Sequence, residues 1–320
     1  MDFFETILLP FRWLVSWVMQ AFHEGFTFLG MDAASGWTWT LSIVGLVVVI
    51  RAALIPVFVK QIKAQRGMQA LQPDLRKLQQ KYKGKTDQLS RQAMTQEQMA
   101  LYKKHGTNPF AACLPILIQM PFFFALFTVL NGVSTASDNG EGIGALTVDD
   151  VQQFDAAEIF GAPLSSSLLH GFGTEGHTSV VVLSIIMILA MTASQFITQK
   201  QIMAKNMSEE AMQSPFMRQQ KIMLYILPLV FGIGGINFPI GVLIYWTTTN
   251  LWTMVQQFYV IRRMPTPGSP AAKALAERRA KKGLPMVPLL GEKKGEPAVE
   301  AVAPPKAQRV QPQRKNRKRK

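Results

Sequence analysis

The sequence predicts an all-α membrane protein: five transmembrane helices around a hydrophilic groove, with a helical hairpin on the cytoplasmic side. Three observations lead there. Long apolar stretches alternate with densely basic ones, where a soluble domain would mix both at the period of a helix or strand. Basic and acidic segments take turns along the chain, as loops on opposite sides of a bilayer do. One arginine stands inside an apolar run, and no proposed span carries a carboxylate to pair with it.

Four apolar segments, 38–59, 108–133, 178–198 and 237–261, reach or approach the roughly 20 residues that cross a hydrocarbon core. A fifth, 220–235, is short and holds Pro228 and several glycines. It crosses only with local thinning or with shelter from its neighbours. Charge requires that it cross. Residues 60–104 hold eleven Lys/Arg against three Asp/Glu, while 134–177 hold seven carboxylates and no Lys or Arg. Residues 199–221 carry four basic side chains and the stretch from Arg262 onward carries seventeen. Placing every basic segment in the cytoplasm takes five spans, with the N-terminus outside, the acidic loop outside and the C-terminus inside.

Residues 1–30 have no basic leader and begin with Asp2 and Glu5, unlike a secretory signal. Apolar side chains recur at Phe4, Ile7, Leu8, Phe11, Val15, Val18 and Phe22, with Trp13 and Trp17 between them. That pattern fits an amphipathic helix lying in the outer interface. The other reading is an extra span, against which stand Arg12, Glu24 and the short apolar length.

Between the first two spans, Met68, Leu71, Leu75, Leu78 and Tyr82 are spaced three and four apart, which is an a/d seam. Residues 83–87 (Lys-Gly-Lys-Thr-Asp) supply a turn, and 89–104 form a second helical stretch. Residues 60–105 therefore read as an antiparallel cytoplasmic hairpin, in which Pro73 breaks or starts a helix. Mutual burial explains the stripe; the many exposed lysines and arginines call for anionic lipid or ribosomal RNA. The tail, 263–320, is rich in Pro, Lys and Arg and reads as disordered. Ribosome binding, lipid binding and a plain topological anchor all fit its charge.

The lone cysteine, Cys113, excludes a disulfide framework or a CxxC site, and no metal cluster or cofactor motif occurs. His23, His105, His170 and His177 all fall outside the spans, and neither HExxH nor GxSxG is present. These residues argue against an enzyme, and the spans exclude a soluble DNA-binding protein.

Arg51 lies in the run Val-Val-Val-Ile-Arg-Ala-Ala-Leu-Ile-Pro, nine residues before Lys60, which is about 13 Å along a helix. At that depth a guanidinium costs roughly 2.5–3.5 kcal/mol on insertion scales. Snorkelling to the interface is one answer. The other is a hydrated cavity lined by groups such as Gln119, Gln195, Gln199, Tyr225 and Thr247. A positive, wet cavity attracts acidic segments.

These residues resemble the YidC/Oxa/Alb family of membrane protein insertases. The matching stretches are 50–61 (Ile-Arg-Ala-Ala-Leu-Ile-Pro-Val-Phe-Val-Lys-Gln), 68–73 (Met-Gln-Ala-Leu-Gln-Pro), 81–83 (Lys-Tyr-Lys) and 101–109 (Leu-Tyr-Lys-Lys-His-Gly-Thr-Asn-Pro). They continue at 113–126 (Cys-Leu-Pro-Ile-Leu-Ile-Gln-Met-Pro-Phe-Phe-Phe-Ala-Leu) and 238–246 (Phe-Pro-Ile-Gly-Val-Leu-Ile-Tyr-Trp), followed by Asn250 and Gln256-Gln257. The resemblance implies a five-helix insertase core over 37–262, in a bacterial plasma membrane, with Arg51 in the groove. It also implies Gln119, Gln195 and Trp246 as groove residues. An apolar slide receives the incoming span, here Pro115, Ile118, Phe122 and Leu126 on one helix with Met223 and Leu227 on another. Implied partners are newly made membrane proteins, the ribosome, the Sec translocon, the signal recognition machinery and membrane lipid. The chain departs from some members in having no large folded domain after its N-terminal segment and no lipobox-type cysteine. That form looks like a Gram-positive, actinobacterial member. Two rivals remain: an anion transporter built on Arg51, against which stands the lack of an internal repeat, and a scaffold that would leave Arg51 dispensable.

Overall fold

A computed structural model describes residues 3–108, 114–173, 178–207, 212 and 215–285. The described chain is almost entirely helical, in keeping with an all-α membrane fold. Among the described residues three helices have the length and apolarity to cross a membrane: Gly36–Ala53, Leu117–Asn139 and Thr178–Asn206.

The first helix, α1 (Phe3–Phe28), packs along α2 (Gly36–Ala53) and α6 (Leu114–Asn139). Its 3.6-residue stripe decides its inner face: Val15 and Met19 are buried while Trp13 and Trp17 stack on each other outside. Phe11 meets Phe122 edge-on, and His23 stacks on the buried Trp39 of α2 at 3.8 Å. Ser35 caps α2 by accepting from the Trp37 amide.

α2 stops at Leu54, and α3 (Ile55–Ala70) restarts at once. Pro56 causes the interruption, because it has no amide to donate to Ala52 four residues back. The run therefore leaves the apolar layer as a nearly continuous rod. α4 (Gln72–Lys81) starts with Pro73 in its first turn and turns back through residues 82–87 into α5 (Gln88–Lys104). Leu71, Leu75 and Tyr102 form the buried seam, with Met68 and Leu101 packed against it.

α6 carries Pro121 inside it and continues six residues beyond the apolar segment read from the sequence. The acidic loop that follows is folded. α7 (Val148–Ala156) opens with a capping box between Thr147 and Asp150. A two-stranded hairpin, β1 (Glu158–Ile159) and β2 (Ala162–Pro163), precedes α8 (Leu168–Gly173). Val151, Phe154, Ala157, Ala162 and Leu164 are buried in the same core as α2 and α6. This cap is latched to α1 through Gln20 Nε2 donating to Asp150 (3.1 Å) and the Ala145 amide donating to Ser16 Oγ (2.8 Å).

α9 (Thr178–Asn206) packs against α10 (Pro215–Gly234) and α11 (Ile240–Arg263). A single 3₁₀ turn, Gly235–Asn237, joins α10 to α11. Pro239 stands at the α11 N-cap, and the Ile240 and Gly241 amides donate to Ser166 and Leu164 of the cap.

One expectation is corrected. The tail does not become irregular at residue 263: α12 (Pro270–Ala280) is helical and packs against α9 and α11. Ser269 caps it, Pro270 occupies its first turn, and its alanines suit a helix interior. The remainder of the expected disordered tail, 286–320, lies outside the described residues.

Candidate functional site

The site begins where α2 ends. Arg51, in the last turn of that helix, is only 7% exposed. Its guanidinium lies over the Phe58 ring, 5.6 Å from the centroid, two turns further along the α2–α3 rod. It is also within electrostatic reach of Tyr245 on α11. Among the described residues no carboxylate comes within salt-bridge distance of it. Removing a permanently charged guanidinium from water without a counter-ion is costly, so the charge must be met by polar groups or water.

Polar groups line the neighbouring helices. Gln119 on α6 donates through Nε2 to the Tyr245 hydroxyl at 2.9 Å, tying α6 to α11 beside the arginine. Asn250 Nδ2 donates to the Met191 carbonyl at 3.3 Å, tying α11 to α9. Buried oxygens of Ser184, Thr192 and Gln195 on α9, and of Thr247 on α11, have no hydrogen-bond partner among the described residues. Buried polar atoms are normally paired, with protein or with ordered water. Unpaired ones on two adjoining helices call for ordered water or another polar partner there.

Trp246 sits in an aromatic cluster. It is buried among Phe123, Phe231 and Phe238, with ring centroids 4.9, 4.7 and 5.7 Å away. The residue that hydrogen-bonds to Gln119 is its predecessor, Tyr245. Tyr225 is 66% exposed and packs on Phe196 rather than turning inward. Of the slide residues, Leu126 is wholly in the core, Phe122 is half-buried against Phe11, and Ile118 is half-buried. The side chains of Pro115, Met223 and Leu227 lie outside those described. Among the described side chains, the outward apolar ones of α6 include Leu117, Met120 and Phe124, and those of α10 include Ile222, Ile226, Leu229, Val230 and Ile233.

A sequence profile described as "60Kd inner membrane protein" matches residues 30–267. The chain is 49% identical over 283 residues to the membrane protein insertase YidC of Streptomyces avermitilis, a match covering 87% of this chain and 63% of that protein. It is 42% identical over 283 residues to the YidC of Tropheryma whipplei, covering 87% and 90% of the two chains. The YidC of Bifidobacterium longum is 35% identical over 326 residues, covering 99% and 96%. This chain belongs to the YidC family of membrane protein insertases. Membrane protein insertion, a non-enzymatic activity, goes with that family, and the chain is a multi-pass protein of a bacterial membrane. The profile match, residues 30–267, contains Arg51, Gln119, Gln195 and Tyr245 and the three long apolar helices, while α1 and α12 lie outside it.

Sequence reasoning could have found Tyr245 from one signal: it is the only hydroxyl-bearing aromatic in the matched Ile-Tyr-Trp run. The outward faces had no such signal, because α6 and α10 are apolar on nearly all sides and a moment cannot choose between them.

Proposed function

We propose that the chain inserts short or single-span membrane proteins through a hydrated groove containing Arg51, Gln119, Gln195 and Tyr245. Five helices enclose it: α2, α6, α9, α10 and α11, with the N-terminus outside, α4–α5 in the cytoplasm and the C-terminus inside. The observation that carries this reading is a buried arginine with no carboxylate within salt-bridge distance among the described residues, in a bundle where buried oxygens of α9 and α11 have no partner among those residues. Water in the groove satisfies those oxygens and hydrates the guanidinium. A client carboxylate about 8 Å away then gains on the order of 2 kcal/mol at an effective dielectric near 20. The membrane potential favours the outward exit of that acidic segment by roughly 2.3 kcal/mol per charge per 100 mV. The client's apolar span meanwhile leaves along the outward faces of α6 and α10, passing from Leu117, Met120 and Phe124 towards lipid. Ile118 and Phe122 flank that path. α1 lies in the outer interface, where its paired Trp13 and Trp17 suit the headgroup layer. The basic hairpin and the tail meet the ribosome, the Sec translocon or anionic headgroups.

The test is insertion of a one-span client with an acidic outer segment into proteoliposomes, read by protease protection. The native chain should insert it well above empty liposomes. Arg51→Ala should lose client occupancy by roughly thirtyfold, which is the 2 kcal/mol converted. Equal insertion by both proteins would remove the arginine from the mechanism and leave the apolar faces as its basis. Insertion no better than empty liposomes would favour an anion transporter or a scaffold.

A further inference from the structure

The hairpin in the outer cap presents an aromatic side chain in an uncomfortable place. Phe160 and Gly161 form its two-residue loop, and both have positive φ, 52° and 73°. A two-residue loop with both φ values positive is the type I′ pattern, whose first position favours Asn, Asp or Gly. A bulky residue there is an outlier, since its Cβ crowds the following carbonyl. Phe160 is nevertheless 71% exposed. Neither backbone preference nor packing within the chain accounts for a phenylalanine at this tip.

Among the described residues it has one ring contact. Phe160 lies edge-on to Trp37, with centroids 5.4 Å apart. Trp37 is in the first turn of α2 and is itself 49% exposed. Leu41 and Val48 continue from Trp37 along the same exposed stripe of α2, four and eleven residues on. The tryptophan thus heads the stripe that α2 turns to lipid, at the level where aromatic side chains meet headgroups. The hairpin is held there by design of the backbone. Gly36 sits against β1, and a Cβ on it would overlap the Glu158 carbonyl.

We propose that the 158–163 hairpin is an outer-leaflet anchor, which places Phe160 beside Trp37 at the headgroup–acyl boundary of phospholipid. Lipid is the occupant because the patch continues into the apolar stripe of a membrane-crossing helix. The anchor fixes the depth of α2, and therefore of Arg51, from its outer end. This inference rests on α2 crossing the bilayer as proposed above.

The test uses the full chain with Cys113→Ala and one nitroxide-labelled cysteine at a time, Phe160→Cys, Val48→Cys or Glu141→Cys. Each is reconstituted in vesicles of phosphatidylethanolamine and phosphatidylglycerol. Collision with oxygen reports lipid, and collision with a water-soluble nickel complex reports water. The oxygen-to-nickel ratio at position 160 should fall between a high value at 48 and a low one at 141. A ratio at 160 equal to that at 141, with 48 still high, overturns the anchor and leaves the span intact. Protection at 160 from both reagents means that protein covers the tip, and this also overturns it. A wet label at 48 defeats the span reading and the anchor together. Phe160→Trp keeps an aromatic in place. Its added emission should be quenched by lipids brominated near the carbonyls and spared by iodide; the reverse result sinks the proposal.

Discussion

Tyr245 and Gln119 illustrate how a buried polar pair can be tested by removing one member or both. Tyr245→Phe leaves the Gln119 amide without its acceptor and should lower stability by about 1–3 kcal/mol. Adding Gln119→Leu removes the orphaned amide, so the double variant should be more stable than Tyr245→Phe alone. Thermal unfolding in detergent checks both, and additive losses would show that the hydrogen bond is unimportant. Leu126 and Leu117 make the matching apolar contrast on one helix. Leu126 is 1% exposed and Leu117 62%. Leu126→Ala should therefore cost about 2 kcal/mol or more through the cavity it leaves, while Leu117→Ala should stay within about 0.5 kcal/mol. If Leu117 lines the client path, that second variant loses insertion while keeping its melting temperature.

The α4–α5 hairpin is closed by a small electrostatic cluster. Lys81 Nζ donates to both oxygens of Glu97, at 2.6 and 2.8 Å, and the Tyr82 hydroxyl donates to the same carboxylate at 2.8 Å. The Lys81 and Tyr82 hydrogen bonds hold the Glu97 carboxyl below its usual range. A carboxylate lowered in the folded state stabilises above its ordinary pKa, and that contribution disappears as pH falls through the lowered value. Because the cluster is exposed, the effect is modest and weakened by salt. The protection factors of the α4 and α5 amides, that is, exchange rates referred to the intrinsic rate at each pH, should thus fall on acidification, and Glu97→Gln should show at neutral pH the lower protection that the native hairpin shows in acid. Unchanged protection in the variant would assign the closure to Leu71, Leu75 and Tyr102 alone. Gly36 poses the opposite test at the seam between α2 and β1. Alanine is the better helix former, yet Gly36→Ala should lower the melting temperature because its methyl displaces the Glu158 backbone.

Two ties join the ends of the molecule to its centre. The 143–173 cap binds α1 through Gln20 and Ser16, and α12 is fastened to the C-terminal ends of α9 and α11. The Thr266 amide donates to Asn206 Oδ1 at 2.9 Å, and Arg278 donates to the Arg262 carbonyl at 3.1 Å. Truncation after residue 285 should leave the melting temperature unchanged, whereas truncation after 264 should lower it. Residues 286–320 hold ten of the seventeen basic side chains from Arg262 onward. The shorter truncation is therefore the one to use when ribosomes or anionic vesicles are titrated with salt. It should remove much of the salt-dependent part of binding without disturbing the core.

The alternation of apolar and basic segments, the place of Arg51 and the motif stretches were legible in the chain itself. Each depends on composition within a short window or on the cost of a charge in an apolar layer, and neither needs a fold to be known. The hairpin seam was legible too, since Leu71 and Leu75 are apolar positions in a polar stretch. Tertiary structure alone decided which faces of α6 and α10 turn outward, because helices apolar on every side carry no periodic signal. It also decided that Tyr245, rather than Trp246, meets Gln119. Neighbouring residues on a helix point about 100° apart, and only the packing of Phe123, Phe231 and Phe238 around the indole leaves the tyrosine hydroxyl to Gln119. The folding of the acidic loop was hidden for a similar reason. Its buried apolar residues, Phe154 and Leu164 among them, are scattered along the loop without a helical or strand period, and they gather into one core only against Trp39 and the first turn of α11.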